Sequence, residues 1–162
     1  MPRNPGSGAI ALLICLTTSA LARDLSTPNL ALTPGVVAIS SKQIVCNTKW
    51  GLDRRHVTAA MKREVFARYG LSGNTDKACV RDAHGRRCEI DHLVSRELGG
   101  ADVIENLWPQ PYGLRPWNAV MKDRVENRLH KEVCAGNILL EDAQRGIAKD
   151  WPAIHRKYFG GK

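Results

Sequence analysis

The run Glu89-Ile90-Asp91-His92-Leu93-Val94, closed by Gly99-Gly100 and followed by Asn106-Leu107-Trp108, constrains this chain more than any other stretch. A short apolar-flanked run ends in an adjacent carboxylate and imidazole. A glycine pair turns the chain, and a second short run opens with an asparagine. The pattern predicts a two-stranded ribbon with Asp91 and His92 at its working end. A carboxylate is a hard ligand for a divalent cation, and a neutral imidazole beside it takes a proton from water. Taken alone, an Asp-His pair is more often a satisfied surface pair, so its neighbours decide its meaning.

Arg3, the apolar run Ala9 to Leu16 and the triplet Ala20-Leu21-Ala22 predict an export signal over residues 1–22, cleaved after Ala22. The run is too short to span a bilayer, and no other stretch is apolar enough, so no membrane partner is expected after cleavage. Removing 22 of 162 residues leaves 140, enough for one domain with a single core. Cleavage takes one base and no acid from the net charge of +8, leaving +7. That surplus favours a polyanionic partner such as nucleic acid, and it equally serves solubility.

Cys46, Cys79, Cys88 and Cys134 remain after cleavage, an even set that reads as two disulfides in an oxidising compartment. Of the three possible pairings, Cys79–Cys88 across a polar turn with a long-range Cys46–Cys134 clasp is the economical one. The clasp is worth ~3–5 kcal/mol if unstrained. No Cys-x-x-Cys pair occurs, which argues against structural zinc held by these cysteines.

Residues 23–35 are turn formers without periodicity and predict a loose lead, within a lead segment over 23–43 that precedes a domain over 44–162. Val36 to Ile39 and Gln43 to Cys46 are β-prone runs. Thr58 caps a predicted helix from Ala59 to Tyr69, closed by Gly70. Residues 71–87 predict a loop, and Pro109 to Gly113 a non-helical connector. Pro116 suits the first turn of a helix carrying Trp117, Met121, Val125, Leu129 and Val133 at every fourth position, stopped by Gly136. A third helix runs from Glu141 to Lys149, with Pro152 ending it. Trp108 and Trp117 read as core, and His56, His84 and His155 as solvated. The fold class expected is α+β.

Asp91-His92, Gly99-Gly100, Asn106-Leu107 and Asn118-x-x-x-Lys122 together resemble the HNH endonuclease motif. The wider chain, from about Ile44 to Trp151, is similar to a group of exported bacterial HNH-like proteins. The pieces that carry this are Glu97-Leu98-Gly99-Gly100, Leu107-Trp108-Pro109-Gln110-Pro111, Lys122-Asp123, Glu126-Asn127 and Val133-Cys134-Ala135-Gly136. The resemblance implies a ββα-metal core of hairpin and helix with flanking helices. It makes His92 the general base, Asp91 a metal ligand and Asn106 the brace of the loop that holds His92. Asn118 would be the second protein ligand, with Asn127 or His130 as alternatives further along the helix. Glu97 is a rival carboxylate.

One divalent ion is implied. Mg²⁺ or Mn²⁺ suits a carboxylate–amide shell, while a His130 ligand would make Zn²⁺ or Ni²⁺ more credible. Arg86, Arg87, Arg96, Arg115, Lys122 and Arg124 lie near the motif in sequence and are candidates to grip phosphates. No element suited to base-specific readout is evident. The expected function is a periplasmic or secreted monomeric endonuclease cutting DNA, with RNA the other substrate class, at low sequence specificity. The rivals are a non-catalytic basic module that binds nucleic acid or another polyanion on the same scaffold, and a small structural or inhibitory protein.

Overall fold

In the computed structural model, residues 24–160 are described; the expected export signal over 1–22 lies outside them. The strands Cys88–His92 (β1) and Leu107–Pro111 (β2) pair antiparallel, with Glu89 opposite Gln110 and Asp91 opposite Trp108. The stretch read as a connector, Pro109 to Pro111, is therefore strand. The register explains how two prolines are tolerated. Leu93 N–H donates to Asn106 O and Tyr112 N–H to Arg87 O, which puts Pro109 and Pro111 at positions that owe the ladder no donor.

Among the described residues, four α-helices surround this ribbon: Lys42–Asn47 (α1), Ala59–Arg68 (α2), Ala119–Ala135 (α3) and Leu140–Phe159 (α4). The fold is α+β, a two-stranded sheet with helices, and it carries both expected disulfides, Cys46–Cys134 and Cys79–Cys88. The first closes 88 residues of sequence separation, tying α1 to the end of α3. Among the described residues no helix is long and apolar enough to cross a membrane.

Local chemistry sets the helix ends. Thr58 accepts from Met61 N–H and caps α2, whose Val65 is buried. Asn118 accepts from Met121 N–H and caps α3, so that helix starts after Pro116 rather than at it. Gly136, in a left-handed conformation, ends α3. Val125, Leu129 and Val133 bury one face of α3 in the core with Leu93, Val94, Leu98, Trp108, Ile147 and Trp151.

The run Gln43 to Cys46 is helix, not strand, because Ser41 caps it and only Val45 needs burial. The lead before residue 44 is not loose. Leu25 is buried, Thr33 Oγ1 donates to Leu107 O at 2.9 Å, and Val37 bridges to Gly100, so the lead forms part of the wall around the ribbon. Finally, the chain continues as helix beyond Pro152. The helical path breaks at Asp150, whose Oδ1 accepts from Ala153 N–H and caps a new segment with Pro152 in its first turn.

Candidate active site

The glycine pair shapes the loop that presents His92. Gly99 has φ +84°, in the left-handed region. A Cβ on Gly100 would fall 1.7 Å from Val94 O and 2.9 Å from Asn106 Nδ2, so only glycine lets the loop close over Asn106. Asn106 is wholly buried. Its Oδ1 accepts from Val94 N–H (3.0 Å) and Val36 N–H (3.2 Å), and its Nδ2 donates to Val94 O and Ala101 O, each at 3.0 Å. That amide clamps the segment directly after His92 to the start of β2 and to the lead.

His92 Nε2 lies 2.7 Å from Asp102 Oδ1, and the imidazole is 4% exposed. The carboxylate accepts from Nε2–H, which leaves Nδ1 as the basic nitrogen. Burial pushes the His92 pKa down, against the upward pull of Asp91 and Asp102, so the ring is neutral at pH 7. Burial tends to raise Asp102, but the His56 N–H, His92 and Arg96 outweigh it and hold this carboxyl below its usual range. Asp102 escaped the sequence reading; its one hint was its place two residues after the glycine pair.

Asp91 projects from β1 toward α3, where Lys122 Nζ donates to Asp91 Oδ2 at 2.7 Å, to His92 O and to Glu126 Oε1. Lys122 has no solvent exposure. Burial alone would lower its pKa, yet Asp91 and Glu126 more than compensate and keep the ammonium charged. Burial likewise pushes Glu126 up against the pull of Lys122. The expectation that Lys122 grips a substrate phosphate is therefore wrong: the side chain stitches α3 to β1 from within. The four-residue spacing of Lys122 and Glu126 was the available signal for this pair.

Asp91, His92, Arg96, Glu97 and Glu126 line one cleft of about 240 Å³, together with Arg55 and Asp53. Glu97 Oε1 is buried there without a hydrogen-bond partner. Burial raises the Glu97 pKa, with His130 and Lys122 opposing it. Arg55, also missed from sequence, is oriented by a hydrogen bond from Nη2 to Ile90 O.

The helix ligands expected from the motif do not reach this cleft. Asn118 is committed to capping α3, and its Nδ2 donates to Leu114 O. Asn127 is exposed and donates to Asp123 O. His130 Nε2 lies 3.3 Å from Val45 O and 3.5 Å from Cys134 Sγ, beside the long-range disulfide. His130 is thus not among the residues lining the cleft, although it lies near enough to Glu97 to oppose the rise in that carboxyl's pKa. Cys46, His130 and Cys134 do crowd together, but a disulfide sulfur is no thiolate ligand.

The remaining arginines divide. Arg96 faces the cleft and pairs with Asp53 and, at 3.6 Å, with Asp102. Arg87 instead donates to the Thr75 and Asp76 carbonyls and holds the loop before β1. Arg86 is exposed, bonds to Asp82 at 2.8 Å and lies over the Tyr112 ring. Arg115 is exposed, and Arg124 sits over Phe159 away from the cleft. His155, expected to be solvated, packs between Trp117 and Phe159.

The cleft's donors are carboxylate oxygens. Asp91 has Oδ1 uncommitted among the described contacts, and Glu97 has an orphaned Oε1. Carboxylate oxygens are hard ligands of the class that divalent cations take.

No protein-family model matches the chain. No curated protein and no solved structure matches it either.

Proposed function

We propose that the protein is an exported, metal-dependent endonuclease of the HNH kind, hydrolysing phosphodiester bonds in DNA, with RNA as the second substrate class. The observation that carries this reading is the Asp102–His92 pair, which aims a neutral imidazole into a carboxylate-lined cleft beside Asp91. The ribbon of β1 and β2 followed by α3 has the element order of a ββα-metal core.

In this mechanism His92 Nδ1 takes a proton from water as the oxygen attacks phosphorus. The bond to the leaving sugar oxygen breaks, and that oxygen is protonated from solvent. Asp91 and Glu97 would hold the divalent ion, which when bound stabilises negative charge on the departing oxygen. Asp102 orients His92, and Asn106 fixes the loop behind it. Arg55 and Arg96 offer guanidinium groups to the non-bridging phosphate oxygens without reading bases, consistent with low sequence specificity.

A plasmid-nicking assay tests this. Cleavage should require Mg²⁺ or Mn²⁺, stop with EDTA and vanish in His92→Ala. Equal cleavage by His92→Ala would remove it as the base.

One observation favours the second reading, a non-catalytic module that binds nucleic acid. The Lys122 ammonium already pairs with Asp91 and Glu126, where a metal ion would otherwise supply the positive charge. Retained DNA binding with no cleavage under any divalent ion would select it.

A further inference from the structure

The solvent face of α3 carries a line of bases that the cleft does not use. At 100° per residue, Arg124, Arg128 and Lys131 lie roughly 180–240° round the helix from Lys122, which points at β1. All three are exposed. Arg124 and Arg128 are one turn apart, about 6 Å along the axis. Each guanidinium is laid on a ring supplied by the end of α4: Arg124 is 4.3 Å from the Phe159 centroid and Arg128 is 4.9 Å from that of Tyr158. Arg156 and Lys157 extend the positive surface along α4. Two acids answer these five bases, Glu132 on Arg128 and Asp150 on Arg156, so the patch keeps a positive surplus.

Stacking fixes the plane of a guanidinium while leaving N–H edges outward, in the fork geometry that matches phosphate oxygens. The rings are half-buried and covered by the cations, so they offer neither free faces for bases nor wedges for a bilayer. Two stacked guanidiniums about 6 Å apart along the helix, of which Arg128 also gives Nη2 to Glu132, with the exposed Lys131 beside them, match successive phosphates of a backbone.

We infer that the outer face of α3, with the end of α4, is a second nucleic-acid backbone site that holds duplex DNA outside the catalytic cleft. The inference rests on the proposed function for the nature of its partner, but its test reads binding and not turnover.

The test uses the mature protein carrying His92→Ala, in EDTA, titrated onto a labelled 30-base-pair duplex at several NaCl concentrations. Adding Arg124→Gln, Arg128→Gln and Lys131→Gln should weaken binding about tenfold or more at 0.1 M salt and lower the log–log salt slope by roughly 2–3. Arg124→Lys with Arg128→Lys should recover part of the affinity and guards against a folding artefact, which far-UV circular dichroism also checks. Unchanged affinity and slope in the triple variant would overturn the inference. So would loss of binding to phosphatidylserine vesicles with duplex binding intact, which would reassign the patch to lipid. If the unsubstituted protein fails to nick DNA while this binding pattern holds, the nuclease reading falls and the second site stands. If nicking holds and the pattern fails, the reverse follows.

Discussion

Lys122 Nζ and Asp91 Oδ2 lie 2.7 Å apart, and the lysine has no contact with water. This one contact joins the helix behind the ribbon to the carboxylate in front of it. It also means that α3 sets a cation beside the carboxylates Asp91 and Glu126.

Loss of that ammonium should leave Asp91 and Glu126 as uncompensated, partly buried carboxylates. Lys122→Ala is expected to destabilise the protein by ~3–5 kcal/mol. Urea denaturation at pH 7 measures it, and a loss under 1 kcal/mol would show that the ion pair contributes little.

The pH dependence of cleavage should report His92. The ring must be neutral to accept a proton, so the rate climbs as pH rises through its pKa. Because burial depresses that pKa, the acid limb should lie below the ordinary 6.5. Asp102→Asn removes a contact that raises it, moving the limb lower still while cutting kcat by roughly 10²–10⁴. A limb above 6.5, or no loss of kcat, contradicts this.

Glu89 provides a second pH signal, in stability. Tyr112 donates to its Oε2 at 2.6 Å, while burial and then Asp91 push its pKa up to about 7 from 4.5. With the folded value raised, its contribution is full below 4.5 and is lost as pH rises through 7. Against Glu89→Gln in EDTA, the unsubstituted protein should lose about 2–3 kcal/mol between pH 4.5 and 8. Parallel stability curves for the two proteins would refute the shift.

Asn106 is expected to tolerate nothing. Asn106→Ala strands two N–H groups and two carbonyls, and Asn106→Asp sets a carboxylate against Val94 O and Ala101 O. Each should cost about 3–5 kcal/mol in a thermal or urea melt. Under conditions where the variants fold, kcat should fall more than KM rises, since the loop positions His92 and not the substrate.

Much of the architecture was legible because it depends on local chemistry. The period of Val125, Leu129 and Val133 marks the buried face of α3, Thr58 and Gly136 mark helix ends, and the ribbon follows from its glycine pair. Both disulfides followed from counting cysteines and favouring the shorter loop. Where local signals compete, the reading failed. Gln43 to Cys46 has β-prone residues but a serine cap before it. Pro109 and Pro111 look like strand breakers until register shows that their missing N–H groups face away from the ladder.

The sequence by itself determined that Asp91 and His92 adjoin at the end of one strand and that Asn106 leads into the strand opposite, where spacing fixes direction. It could not decide what lies opposite them. Asn118, Asn127 and His130 share a helix with Lys122 and Glu126, and composition alone makes all of them plausible partners for Asp91. Only the packing of α3 against β1 turned Lys122 and Glu126 inward, left Asn118 as a cap and carried His130 to the disulfide. A ligand set is chosen by the rotation of one element against another, and that angle is set by the whole core.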